Sequence, residues 1–388
     1  MGNETNSNFN LIQNGGGIEK PKVRVTDKRT LDTQFIVDTK VNVSKENVGR
    51  ESFINEEVEQ LKSDLTEKFV AIAPDLGTFD LAAGHIDRLT NYLLDKGANS
   101  REDLLIGGAY EFYRVGRDIL GPLWSAYVDE SLSQAEGDET YLFPARDATP
   151  FYWVSEGLID GKKNLNHLGE VRRVHADWNR WFMGQEDELD ESGIPLNIAS
   201  NPLLKRFYLQ MGFGNGGKVK IIEPGAWGSA ANALKTFMPT QDFELRFLFS
   251  HMPDRIYGFL NEHAKDVDPI NFEIINDSSE AIPKSYTRPT SLVEENGRVV
   301  ADRSMHLIDS PFIKVWSKAA NRGAYEAGWL HSQGLRVDVN EHVNKLVELS
   351  KRAVQGEWTG ILPRNTLTWT VGGSWRKDWK WGKIPPLE

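Results

Sequence analysis

The chain contains no cysteine at all. That absence excludes disulfides, thiolate zinc sites, iron–sulfur clusters and cysteine nucleophiles. Long apolar runs are missing too: no stretch approaches the roughly 18 residues of a membrane-spanning helix. Basic residues are outnumbered, with Lys+Arg 45 against Asp+Glu 56 and a net charge of −11. A general nucleic-acid binder needs a basic footprint, so that class is excluded. The first ten residues, MGNETNSNFN, are polar and lack the apolar segment of a secretory signal. Gly2 follows Met1, but a myristoylation pattern wants Ser or Thr at the sixth position, where this chain has Asn6. The expectation is a cytoplasmic protein with neither membrane nor nucleic acid as a partner. Among catalytic signatures, there is no Walker A sequence and no G-x-S-x-G elbow, and the eight His form no H-E-x-x-H pair.

What is present in quantity is tryptophan. There are 12, and five of them (Trp358, Trp369, Trp375, Trp379 and Trp381) fall after residue 357. Such rings suit ligand stacking, but most serve core and interface packing. This tail is expected to wrap the body or an oligomer interface.

Residues 1 to about 30 carry no hydrophobic period and read as a mobile tail. The stretch from Thr33 to Val43 reads as a strand or extended arm. From 55 to 136 the signal is helical. Val58, Leu61, Leu65 and Val70 share one helix face, and Leu81, Ile86, Leu89, Tyr92 and Leu93 share another. Ser100 with Glu102 behind it marks a helix start, and Gly121-Pro122 breaks the pattern. Beyond Glu139 short apolar runs alternate with helical stretches. Strands are expected at 140–146, 171–176, 218–223, 243–250 and 271–276, and helices at 150–158, 229–237 and 255–263. Residues 291–303 read as a hairpin turning at Glu295-Asn-Gly-Arg298, and 311–333 and 339–354 as helices. The fold class is therefore α/β: a three-layer, mostly parallel sheet with an N-terminal helical part and a helical, Trp-rich C-terminus. The expected organisation is a tail at 1–30, an arm and helical cap at 31–136, an α/β core at 137–310, and C-terminal helices with the Trp-rich tail at 311–388.

In open α/β sheets ligands bind beyond the carboxyl ends of the strands. The first strand delivers Arg146 and Asp147 to a loop, with Thr149 two residues on. An aspartate there suits a phosphoryl acceptor, provided a cation screens the incoming charge. The same spacing suits Asp147 or Thr149 as a helix N-cap. After the second strand come His175, Asp177 and Arg180, a pattern fitting a metal pair, an acid/base pair or a packing histidine. The third strand ends in Glu223-Pro-Gly-Ala-Trp-Gly-Ser229, where Gly225, Trp227, Gly228 and Ser229 precede a helix and offer an anion cradle or an ordinary tight turn. Asp277, in Ile275-Asn-Asp-Ser-Ser-Glu280, offers oxygen ligands for Mg²⁺ or an Asx turn. The glycines of Gly212-Phe-Gly-Asn-Gly-Gly217 precede a strand, whereas a dinucleotide fingerprint follows one.

Four segments in this order resemble a haloacid-dehalogenase-like (HAD-like) family encoded beside bacterial surface-polysaccharide genes. They are Tyr141-Leu-Phe-Pro-Ala-Arg-Asp-Ala148, Val171-Arg-Arg-Val-His-Ala-Asp-Trp178, Ile221-Ile-Glu-Pro-Gly-Ala-Trp-Gly-Ser229 and Asn276-Asp-Ser-Ser-Glu-Ala-Ile-Pro-Lys-Ser-Tyr286, within a match over about residues 105–330. The resemblance implies a HAD/Rossmann-like core. It departs at Thr149, where HAD phosphatases carry a second aspartate as general acid, and at Glu223, which replaces an aspartate. His175-Ala-Asp177 replaces a Ser-Arg pair. Taken together, these features imply an enzyme for a small phosphorylated substrate, a sugar phosphate or nucleotide, working by phosphoryl transfer or hydrolysis with Mg²⁺. Asp147, Thr149, His175 and Glu223 are the expected catalytic groups. Arg146, Arg180 and the Gly225–Ser229 turn would bind phosphate, and Asp147 with Asp277 the metal. Two alternatives stand: a catalytically silent HAD-like binding module in glycan or small-molecule biosynthesis, and a glycosyl-transfer enzyme. A homo-oligomer formed through the N-terminal arm or the C-terminal tail is the expected assembly.

Overall fold

The computed structural model describes residues 76–133, 139–145, 148–162, 172–176, 202–214, 217–224, 238, 240–250, 257–283, 292–301 and 310–363. The arm at 33–43, the first predicted helix face at 58–70, the predicted helix at 229–237 and Trp369, Trp375, Trp379 and Trp381 lie outside these residues.

The helical signal after residue 75 resolves into α1 (Leu76–Asp95), α2 (Arg101–Arg114), one π-helical turn (Val115–Ile119) and α3 (Gly121–Ser133). Ser100 caps α2 as its sequence suggests, its hydroxyl accepting from the Asp103 N–H at 3.1 Å. The expected break at Gly121-Pro122 is an inserted π turn rather than a loop. Next come β1 (Thr140–Pro144), α4 (Thr149–Gly161), β2 (Arg172–Ala176), α5 (Pro202–Gln210), β3 (Val219–Glu223), β4 (Phe243–Phe247), β5 (Tyr257–Gly258) and α6 (Phe259–His263). The chain continues through α7 (Phe272–Glu280), the hairpin strands β6 (Leu292–Glu295) and β7 (Arg298–Ala301), α8 (Pro311–Ser332) and α9 (Val339–Val354). At the hairpin turn Asn296 and Gly297 both have positive φ (52° and 77°), as a type I′ turn demands.

Five strands form one all-parallel sheet in the order β2-β1-β3-β4-β5. β2 and β3 flank β1 on opposite sides, so the order reverses between β1 and β3. In doubly wound sheets that reversal opens a crevice at the carboxyl edge. Strand alternation sorts the side chains. Leu142, Val219, Ile221, Leu245 and Phe247 face α5 and the hairpin, in one core with Leu204, Phe207, Tyr208 and Val299. The opposite face, under α3 and α4, is apolar only toward the carboxyl edge. Tyr127 packs there on Phe151 and Phe259 (5.3 and 5.7 Å), and its hydroxyl donates to the carbonyls of Arg246 and Glu223 (2.6 and 3.1 Å). Toward the amino edge the same face holds a buried ion pair, Lys220 Nζ to Glu139 Oε2 at 2.8 Å. The Tyr141 hydroxyl donates to the same carboxylate oxygen at 3.0 Å.

The expected fifth strand at 271–276 is a correction. Those residues form the end of a 3₁₀ turn (Pro269–Asn271) and the first half of α7. Phe272, Glu273, Ile274 and Ile275 are all buried. β-branched residues favour strands only where packing permits, and packing here favours a helix. The Ser279 hydroxyl donates to the Ile275 carbonyl at 2.8 Å, and Ser278 Oγ accepts from the Leu362 N–H at 2.9 Å. The fifth strand is instead the two-residue β5, inside the stretch expected to be helical at 255–263.

α8 joins the helical part to the α/β core. It runs between α2 with the π turn on one side and α4 on the other, and small residues set how closely it approaches each. A Cβ built on Gly157 of α4 would overlap the Tyr325 carbonyl of α8, and one on Gly328 of α8 would overlap the Val154 carbonyl of α4. Gly116 and Gly323 stand in the same reciprocal relation across the π turn. Trp358, from the aromatic tail, is buried. Its Nε1 donates to Glu111 Oε2 at 2.8 Å, and its ring lies 4.5 Å from that of His85. Among the described residues no helix is long and apolar enough to cross a membrane.

Candidate functional site

The parallel register brings the ends of β1, β2 and β3 to one edge, with Phe143 opposite His175. α4 starts on that edge directly after β1, and its N-cap position belongs to Ala148, which supplies no side-chain cap. Thr149 is therefore not the cap residue, and Asp147 lies outside the described residues. Thr149 is the first helical residue, and its Oγ1 lies 3.0 Å from His175 Nε2. Two residues 26 apart in sequence, both expected at this edge, are thus in hydrogen-bond contact.

The imidazole has a second neighbour that sequence reading passed over. The Tyr152 ring stacks on it with centroids 4.8 Å apart and planes 14° from parallel. One turn further along α4, Glu156 Oε1 accepts from Arg173 NH1 of β2 at 2.6 Å. Thr149, Tyr152 and Glu156 occupy positions i, i+3 and i+7 of α4, one helix face. Arg173 and His175 occupy i and i+2 of β2, one strand face. The two faces mesh residue by residue. The signal was available: two charged or titratable residues at period two in a short β-prone run need matched partners. Burial pushes the Tyr152 hydroxyl up to about 12, and Glu156 adds to the shift by charge and by a hydrogen bond. Tyr152 therefore stays a neutral phenol near pH 7.

Glu223 ends β3 at the same edge, in register with Phe247. By strand alternation its side chain belongs to the Ile221 face, whereas His175 belongs to the Phe143 face. The same edge thus presents the two groups on opposite sides of the sheet. The Glu223 backbone carbonyl is engaged by the Tyr127 hydroxyl and by the Leu248 N–H at 3.0 Å. Asp277 lies on α7 and not at a strand end, so its expected setting is corrected along with that of its segment. Arg146, Asp147, Arg180, Gly225, Trp227, Gly228 and Ser229 lie outside the described residues. Among the described residues no three His, Asp or Glu side chains are grouped so as to hold a metal ion.

The glycine-rich stretch before β3 has a structural use. Gly212 and Gly214 take positive φ (82° and 85°) in the turn that ends α5. A Cβ on Gly212 would overlap the Arg172 guanidinium, which reaches across to the Met211 carbonyl. No family model matches the chain, and no curated protein is significantly similar to it.

Proposed function

We propose that the chain is an enzyme acting on a small phosphorylated substrate, a sugar phosphate or nucleotide, in a HAD/Rossmann-like core. The observation that carries this reading is the Thr149–His175 contact of 3.0 Å at the carboxyl edge, beside the reversal of strand order. In the phosphatases that the sequence resembles, the position of Thr149 is an aspartate that gives a proton to the leaving group. A threonine hydroxyl alone is too weak an acid for that, but a hydroxyl bonded to an imidazole relays the imidazole's proton. Ala148 at the N-cap position of α4, a side chain that offers no acceptor, also fits. Alanine at an N-cap costs about 1 kcal/mol against Ser or Asp, and local rules are broken most often at functional sites.

In this reading the Asp147 carboxylate attacks phosphorus. A carboxyl O–P bond forms and the ester P–O bond breaks, while the proton of the His175 imidazolium passes through Thr149 to the leaving oxygen. Water then attacks the acyl phosphate and gives its proton to His175, and phosphate leaves as Asp147 is restored. Arg146, Arg180, Gly225, Trp227, Gly228 and Ser229 bind the phosphoryl oxygens, and Glu223 is a further carboxylate at the same edge, on the other face of the sheet. Mg²⁺ belongs to the same proposal: Asp147 and Asp277 would be its ligands, and when bound it would neutralise phosphate charge.

The test is a panel of phosphate esters, with and without Mg²⁺, against wild type and Asp147→Asn. Asparagine keeps the shape of the side chain without its charge. Turnover should fall by several orders of magnitude with little change in melting temperature. Turnover that survives in the variant overturns Asp147 as nucleophile. A wild type that binds phosphate but turns over no ester favours the silent binding module.

A further inference from the structure

We infer that Tyr152 is the positioning residue of His175, its ring holding the imidazole so that Nε2 meets the Thr149 hydroxyl. Three observations converge on it. The near-parallel stack at 4.8 Å leaves the imidazole little freedom to turn about its long axis without losing contact. The Tyr152 ring is itself held edge-on by Phe143 of β1, centroids 5.9 Å apart. The third is the neighbouring ion pair: Arg173, two residues before His175, is tied to Glu156, four residues after Tyr152, so helix and strand cannot slide past each other without breaking a 2.6 Å contact. The stack and the hydrogen bond then fix two different degrees of freedom of one ring, its plane and its in-plane direction.

Around His175 the titratable groups on this helix and strand are Tyr152, Glu156 and Arg173. Glu156 and Arg173 face each other, the Tyr152 hydroxyl is hydrogen-bonded to Glu156, and it is the Thr149 hydroxyl that meets Nε2. For the relay, a neutral imidazole held this way must carry its proton on Nδ1, with Nε2 accepting from the hydroxyl. The proton-relay use of that geometry rests on the function proposed above; the positioning itself does not.

The experiment is nitrogen-detected NMR of the full-length chain labelled at histidine, with the His175 signals assigned by their loss in His175→Gln. In wild type near pH 7.5 we expect a single Nδ1–H tautomer and ring protons moved upfield by the stacked phenol. Tyr152→Phe should keep both features. Tyr152→Met should remove the upfield shift and leave a mixture of tautomers, and with a phosphate ester it should lower kcat by about 10- to 100-fold while KM stays within about twofold. A mixed tautomer in wild type overturns the positioning role before any variant is made. An unchanged His175 spectrum in folded Tyr152→Met overturns it as well. A single tautomer of the opposite kind, with the proton on Nε2, overturns the relay and leaves the positioning standing. The same holds for absent turnover beside the expected spectrum.

Discussion

His85 and His331 are buried histidines whose surroundings oppose protonation. Burial is the larger cause in each, with Arg88 adding for His85 and Arg336 for His331, and the two are held down to about 3 and about 4. Both lie below the ordinary value of 6.5, so between pH 6.5 and 4 the unfolded chain binds protons that the folded chain refuses. Their stabilising effect is complete above pH 6.5 and is lost as the pH falls through that window. Each group contributes at most about 1.4 kcal/mol per pH unit. His85→Leu should therefore show a shallower loss of stability from pH 6.5 to 5 than wild type, by about one proton's worth, in denaturant titrations at several pH values. Parallel curves would contradict this. Lys220 gives a second prediction at the same scale. Its ammonium and the Glu139 carboxylate are each under 5% exposed. Lys220→Met leaves that carboxylate buried without its cation and should cost about 3–5 kcal/mol. Adding Glu139→Leu should recover most of the loss, and a double variant no more stable than the single would refute the account.

At the scale of elements, periodicity was the most legible signal. Amphipathic faces predicted α1, α4, α8 and α9, and Asn296-Gly297 predicted the hairpin. It failed at Phe272–Glu280, where Ile274 and Ile275 suggested a strand. Phe272 to Ile275 are four consecutive buried residues, and so short an unbroken buried run fits a strand as well as a helix. The short β5 went unpredicted because a two-residue strand has no period to read; α5, nine residues long, went unpredicted as well. The close approach of α4 and α8 was equally hidden, because a glycine in a helix does not announce which carbonyl it faces. Gly157→Ala tests that approach. A methyl there meets the Tyr325 carbonyl, which belongs to backbone and cannot swing aside. Alanine normally favours a helix by about 1 kcal/mol over glycine, but overpacking should reverse the sign and give a net loss of about 1–3 kcal/mol. A variant that melts higher than wild type would show that the helices separate freely.

For the whole molecule, parallel topology converts four short apolar runs into one edge. That much was readable for three of the expected residues: Thr149, His175 and Glu223 share it, and Thr149 and His175 touch. What the sequence withheld was the face. Glu223 shares the edge but not the side, because strand parity depends on register, and register depends on partners far along the chain. Tyr152 stayed hidden for the same reason, since only the docking of α4 on β2 reveals which helix face meets which strand face. The central claim is that this edge passes a phosphoryl group through Asp147, with Thr149 and His175 handling the proton. The most direct measurement is to mix wild type with a substrate ester found in the panel, quench in acid, and map the covalently held phosphoryl group by peptide mass. The account predicts an acid-stable, base-labile phosphoryl on the peptide containing Asp147. With an ester whose leaving group needs no proton, such as 4-nitrophenyl phosphate, label should accumulate in His175→Gln, where water's attack lacks its base, and be absent from Asp147→Asn. Turnover with no trapped phosphoryl group in wild type or in His175→Gln, or label that persists in Asp147→Asn, would contradict it.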